Sequence, residues 1–129
     1  MEAGPPPTTA VVVAGDEEIR VLLRGLLRLH HFRVLGEADG EAQGADLLRI
    51  HNPLLLVVDD HLSDGSTESL IQSARQIIPS IRTVLVAAQP VPAASAERCP
   101  DATLRRPFRV KEFAEAVGAS ARAGPPRPA

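Results

Sequence analysis

The sequence predicts a doubly wound α/β domain, a parallel sheet of five strands with helices on both faces. Three observations predict it. Short apolar runs without alternation recur along the chain, amphipathic helical patterns separate them, and proline-dense segments bound the whole at either end. A strand that is apolar on both faces is covered on both sides, which is the condition of a parallel sheet.

Taken in order, Val11-Val12-Val13 is β-branched and continuous, and reads as the first buried strand. Glu17 to Leu29 follows, with Ile19, Leu22, Leu23 and Leu26 on one helical face and Arg20, Arg24 and Arg28 on another. Those arginines are expected to form a solvated stripe, or a docking face for an acidic partner. Val34-Leu35 is a weak second strand. Ala42, Ala45 and Leu48 are in helical phase within 41–51, although Gly44 weakens that helix. Leu54 to Val58 is the strongest strand. Leu70, Ile71, Ala74, Ile77 and Ile78 mark a helix that Pro79 stops. Thr83 to Ala87 and Thr103 to Arg105 complete the strands, and Val110, Phe113 and Val117 mark the closing helix. Between the last two strands Pro90, Pro92 and Pro100 leave room for only a short or irregular helix around Ala93 to Arg98. The expected architecture is flavodoxin-like, with strand order 2-1-3-4-5 and right-handed crossovers. The domain is expected over residues 10–122, with 1–9 and 123–129 as proline-rich tails.

Composition excludes several function classes. The chain has 129 residues, about one domain, with 44% apolar and 23% charged residues. A formal net charge of −2 gives no broad electrostatic footprint for nucleic acid or anionic lipid. Cys99 is the one cysteine, so neither a disulfide framework nor a multi-thiolate zinc site is available, and a cytoplasmic location is expected. No apolar run has the length of a membrane span, and no signal peptide is expected at the N-terminus. Trp and Tyr are absent and Phe occurs three times, which argues against an aromatic stacking platform.

Ligands of open α/β sheets bind outside the carboxyl ends of the strands. The residues there are Ala14, Gly15, Asp16 and Glu17 after the first strand, and Asp59, Asp60 and His61 after the third. Ala87-Ala88 and Arg105-Arg106 follow the last two. Asp59 ends an apolar run with no spacer, and a carboxylate at the mouth of a buried strand needs a partner. Asp59 and Asp60 are expected to point in opposite directions, which speaks against joint chelation. No phosphate-binding glycine loop is present. His30 and His31 fall at the end of the first helix, where they are expected to cap its C-terminus. No enzymatic activity is expected.

At these residues the chain resembles a family. Val11–Arg20 and Phe32–Ala42 are similar to the opening of a two-component response-regulator receiver domain, and Pro53–Asp59 with Asp60 and His61 to its phosphoacceptor strand. Ile81–Ala88 is similar to the fourth strand, and Arg106-Pro107-Phe108 to the Lys-Pro-Phe turn. The resemblance implies a phosphoacceptor at Asp59, two metal-ligating acids after the first strand, a Thr or Ser on strand four, an aromatic on strand five and a Lys. It implies Mg²⁺ only if the chain is a conventional receiver. This sequence departs from most of that. Ala14 and Gly15 stand at the acid positions in a gapless match, or Gly15 and Asp16 after a one-residue shift that misaligns the helix behind; Ala87 stands at the hydroxyl position, Thr103 at the aromatic and Arg106 at the Lys. If a metal is held at all, Asp59 and Asp16 are the candidates.

The expectation is therefore an atypical, degenerate receiver acting by protein–protein interaction without phosphorylation, with Arg106 as counter-charge to Asp59. Its expected partners are a histidine kinase, a phosphotransfer protein or an output protein, with a homodimer as a further option. Neither nucleic acid nor membrane is expected to bind directly. The alternatives are a conventional phosphoacceptor using Asp59 with Asp16 or Glu17 as substitute ligands, and a flavodoxin-like small-ligand or metal binder. The last would be marked by an apolar pocket of a few hundred cubic ångströms at the strand ends. A cobalamin-type Asp-x-His-x-x-Gly motif is not met, because Gly65 comes one residue late after Asp59 and His61.

Overall fold

The computed structural model describes residues 8–88 and 99–122, with side chains as far as Val117. Five strands form one sheet: β1 (Thr8–Val13), β2 (Phe32–Ala38), β3 (Leu55–Asp59), β4 (Arg82–Ala87) and β5 (Ala102–Arg105). Their order is β2-β1-β3-β4-β5 and every pairing is parallel. Four helices lie among the described residues: α1 (Glu17–Leu29), α2 (Glu41–His51), α3 (Thr67–Ile77) and α4 (Val110–Arg122). The short helix expected around Ala93 to Arg98 lies outside the described residues.

Strand alternation sorts the apolar side chains into two cores. Val11, Val13, Leu56, Val58 and Leu85 pack with Leu48 of α2 and with Leu70, Ile71 and Ala74 of α3. Ala10, Val12, Leu55, Val57, Val84, Val86 and Leu104 pack on the other face with Leu23, Leu26 and Leu27 of α1 and with Phe113 and Val117 of α4. Buried strands that read as continuous apolar runs are thus filled from both sides, as the sequence predicts.

The helix ends follow their local chemistry. Asp16 caps α1 by accepting from the amide of Glu18 at 2.8 Å. Ser66 caps α3 by accepting from the amide of Ser69 at 3.1 Å. Gly40 has no side chain to cap α2, and Asp64 serves instead from the loop after β3, its Oδ2 3.3 Å from the amide of Ala42. His30 closes α1: its amide donates to Leu26 and Leu27, and its Nδ1 lies 2.8 Å from the Leu26 carbonyl.

Three expectations require correction. The first strand begins at Thr8, so residues 8 and 9 belong to the sheet, where Thr9 Oγ1 accepts from the amide of Leu54 at 3.1 Å. The second strand runs the full length from Phe32 to Ala38; its polar positions Arg33 and Glu37, together with Gly36, hid an edge strand that is half-buried through most of its length. The arginine stripe is not solvated throughout. Arg24 Nη1 lies 2.8 Å and Arg20 Nε 3.9 Å from the carboxylate of Glu37 on β2, and only Arg28 stands exposed. Period alone placed the three arginines together, but it could not place Glu37 beside two of them.

Candidate functional site

The parallel register brings the carboxyl ends of β1, β3, β4 and β5 to one edge of the sheet, with Val13 opposite Val58, Asp59 opposite Val86, and Ala87 opposite Arg105. Asp59 ends β3 fully buried, and alternation turns it to the face of Leu55 and Val57, toward α1 and α4. Neither of its carboxylate oxygens has a hydrogen-bond partner. Its charge is met by Arg106, whose Nη2 lies 3.2 Å from Asp59 Oδ1. The peptide bond between Arg106 and Pro107 is cis.

The same Nη2 reaches Asp60 Oδ1 at 3.4 Å, so the two neighbouring carboxylates share one guanidinium nitrogen. This corrects the expected divergence of Asp59 and Asp60. Alternation fails here because Asp60 has left the strand, and its Oδ2 turns back to accept from the amide of Ala88 at 2.9 Å. Burial pushes the Asp59 carboxyl up to about 6; Arg106 pulls it down, and Asp60 pushes it up again.

The other expected lining residues take different places. Ala14 is fully buried at the end of β1, its amide bonded to Ala38 and its carbonyl receiving Arg20 Nη1 at 2.7 Å. Gly15 donates its amide to the carbonyl of His61 at 2.8 Å, while the His61 side chain is exposed. Asp16 is committed to the α1 cap and Glu17 is exposed on the first turn. Ala87 is buried among the residues of the α2–α3 core, and its backbone carbonyl accepts from the amide of Arg106 at 2.8 Å. The site is therefore Asp59, Asp60 and Arg106, closed on the β1 side by backbone.

This donor set does not fit Mg²⁺. An octahedral, oxygen-seeking ion needs several converging oxygens. Ala14 and Gly15 supply no side-chain oxygen, and a Cβ placed on Gly15 would already stand 2.7 Å from His61 O. Asp16 faces its own helix, and a guanidinium rather than an open space faces Asp59. Among the described residues no group of three or more His, Cys, Asp or Glu side chains is arranged to hold a metal.

The loop after β3 is tied on both sides. The amide of Ser63 donates to Asp39 O at 2.8 Å and that of Glu41 to Asp64 O at 3.1 Å. Glu41 returns the contact, accepting from the amide of Ser66 at 3.0 Å and from Ser69 Oγ at 2.6 Å. Sequence reasoning missed this exchange; Gly40 ahead of a helix start, with no capping side chain of its own, was the available signal.

Beside the site runs an apolar groove of about 430 Å³ lined by Leu22, Leu26, Arg106, Pro107, Phe108 and Val110. None of these residues follows β1, β3 or β4, so the groove flanks the strand ends instead of covering them. Arg106 is common to the groove and to the carboxylate pair. No helix among the described residues is long and apolar enough to cross a membrane.

Comparison with solved structures identifies the fold. The chain is similar to the signal receiver domain of the putative response regulator NarL from Mycobacterium tuberculosis, with a TM-score of 0.81 and 22% identity over 92% of this chain and 98% of that one. It is similar to the receiver domain of the response regulator PhyR from Erythrobacter litoralis, at a TM-score of 0.83 and 18% identity over 95% of each chain. The receiver domain of an HD domain-containing protein from Pseudomonas fluorescens gives 0.82 and 21%, over 90% of this chain and 95% of that one. No family model and no curated protein matches the chain. The fold is the receiver fold, with its flavodoxin-like strand order.

Proposed function

We propose that this chain is an atypical receiver-type signalling module that acts through protein–protein contact and is not switched by phosphorylation. One observation carries the reading: Asp59, which the resemblance sets at the phosphoacceptor position, lies 3.2 Å from Arg106, and Ala14 and Gly15, which the same gapless match sets at the acid positions, supply no side-chain oxygen. Phosphoryl transfer to a carboxylate relies on cations that neutralise the transferring group. Here the guanidinium is spent on the carboxylate itself, and the carboxylate is buried. The domain then has one resting state, and its role is to present a surface.

The surface best suited to a partner is the groove between α1 and the β5–α4 connection. Leu22 and Val110 are 47% and 52% exposed on its walls, which is apolar area that association would remove from water. A kinase, phosphotransfer or output protein, or a second copy of the chain, is the class of partner this reading implies. The groove also meets the expectation set for a small-ligand binder in volume, but not in place, and a shallow flank suits a protein side chain better than an enclosed ligand.

The test is direct. Incubation with acetyl phosphate and Mg²⁺, followed by intact-mass spectrometry, is expected to leave the protein unmodified. A stoichiometric phosphoryl adduct mapped to Asp59 overturns the proposal and restores a conventional phosphoacceptor.

A further inference from the structure

We infer that two copies of this chain associate through the outer face of α1, the two helices crossing antiparallel at Gly25. The inference goes beyond the proposed function: it names a second copy as the occupant of this face, and it stands whether or not Asp59 accepts a phosphoryl group.

Gly25 has no task inside the domain. It lies in the interior of α1, exposed, and a Cβ placed on it meets nothing within 4 Å. Glycine in a helix interior is less stable than alanine, and neither a turn nor a packed neighbour offsets that cost here. A missing side chain on an outer face does let a second helix come close.

The residues around Gly25 form a second seam. Leu23, Leu26 and Leu27 are buried against the sheet, whereas Glu18, Leu22, Gly25 and Leu29 recur outside at intervals of four, three and four. That is the spacing at which two helices pack along one another. Val21 is 45% exposed, and Leu22 and Leu29 are more so, which leaves apolar area on both sides of the glycine.

Charge selects the occupant. Glu17 and Glu18 open α1 and Arg28 closes it, all three exposed. Arg20 and Arg24 are drawn aside to Glu37 on β2, so Arg28 is the arginine that α1 keeps for this face. A helix that is acidic at its start and basic at its end is complementary to itself run backwards, and its dipole is too. About a two-fold axis at Gly25, residues after it on one copy face residues before it on the other. Leu29 then meets Val21 and Leu22. Arg28 falls about 6 Å along the axis from Glu18 of the other copy, within reach of its side chain.

Sedimentation velocity of the full chain from about 5 to about 300 µM tests this, with a monomer–dimer equilibrium expected at a Kd of about 10–100 µM, the scale of a small transient interface. Gly25→Gln places a side chain in the crossing while favouring the helix. It is expected to weaken the dimer at least about tenfold and yet to melt about 2–4 °C higher in dilute solution. A glycine with a merely structural role would not move these two readouts in opposite directions. Arg28→Glu and Glu18→Arg are each expected to be monomeric, with circular dichroism confirming the fold. An equimolar mixture of the two should dimerise, because both cross-contacts then join opposite charges. A wild type that stays monomeric throughout overturns the inference. So does a dimer that Gly25→Gln leaves intact, or a mixture no more associated than its components. The two readings fail separately. A phosphoryl adduct on Asp59 in a protein that still dimerises sinks the proposed function alone, whereas an unmodified protein that stays monomeric sinks this inference alone.

Discussion

The amide of Gly15 donates to the carbonyl of His61 at 2.8 Å, and this bond ties the end of the first strand to the loop that follows the third. The contact exists because residue 15 has no side chain. A Cβ there would stand 2.7 Å from His61 O and 3.2 Å from Leu62 Cα, both backbone atoms that cannot swing aside. Gly15→Asp therefore does not rebuild a metal site by supplying the missing acid. It is expected to destabilise the domain by about 1–3 kcal/mol, the usual cost of forcing atoms into a filled space. Urea unfolding with and without Mg²⁺ checks both parts, and a Mg²⁺-dependent gain in the variant would show that the loop yields more readily than its packing implies.

Much of this fold was legible in the sequence because its signals are local. The limits of α1 and α2 follow from spacing that repeats within one helix, and Pro79 marks the end of α3. The strands at the centre of the sheet were clear for the same reason that makes them central: both faces are apolar. The edge strand β2 was seen only at Val34-Leu35, since Arg33 and Glu37 break the apolar run and Glu37 answers to Arg20 and Arg24 of α1. At the site, the need of Asp59 for a counter-charge could be anticipated from its place at the end of an apolar run, and Arg106 as that charge from the resemblance that sets it at the Lys position. The role of Asp60 could not, because its direction is set by Ala88, 28 positions away. Glu37 pairing with Arg24, and Asp64 capping α2, were hidden in the same way.

Glu41 locks the first turn of α3 to the start of α2. Its carboxylate accepts from the amide of Ser66 and from Ser69 Oγ, and Gly65 between the two elements has φ +71°, where a Cβ would run into the Glu41 side chain. Glu41→Ala removes two hydrogen bonds to a charged acceptor in a half-buried place and is expected to cost about 1–3 kcal/mol. Amide exchange read by NMR should accelerate at Ser66 and Ser69 and not at the central strands. Uniform acceleration would mean that the lock is part of the global fold and not a local tie.

Phe113 is the largest fully buried side chain of the α4 face. Its ring lies 5.9 Å from Phe108 on one side and 5.9 Å from His30 on the other, so it joins α4 to both the groove floor and the end of α1. Phe113→Ala is expected to lose about 3–5 kcal/mol. Leu29, 64% exposed on the same region of α1, should tolerate Ala within about 0.5 kcal/mol. Equilibrium unfolding of the two variants side by side measures the contrast, and equal losses would contradict the burial on which the second core rests.

Asp59 makes the stability of the domain depend on pH in an unusual direction. Its carboxyl is raised from an ordinary value of 3.8 to about 6, chiefly by burial. The folded state therefore holds this proton more tightly than the unfolded chain, and the stability it gives is complete below about pH 3.8 and is lost as pH rises to about 6. The difference corresponds to about 3 kcal/mol between the protonated and ionised forms. Other carboxylates act in the same range, so the wild type is compared with Asp59→Asn, which is neutral at every pH and leaves Arg106 paired with Asp60. The variant is expected to exceed the wild type by about 1–3 kcal/mol at pH 7.5, and the gap should close toward pH 4. Denaturant unfolding at half-unit steps between pH 4 and 8 gives the curve. A gap that widens as the pH falls would mean that the ionised Asp59 is stabilised by Arg106 by more than its burial costs.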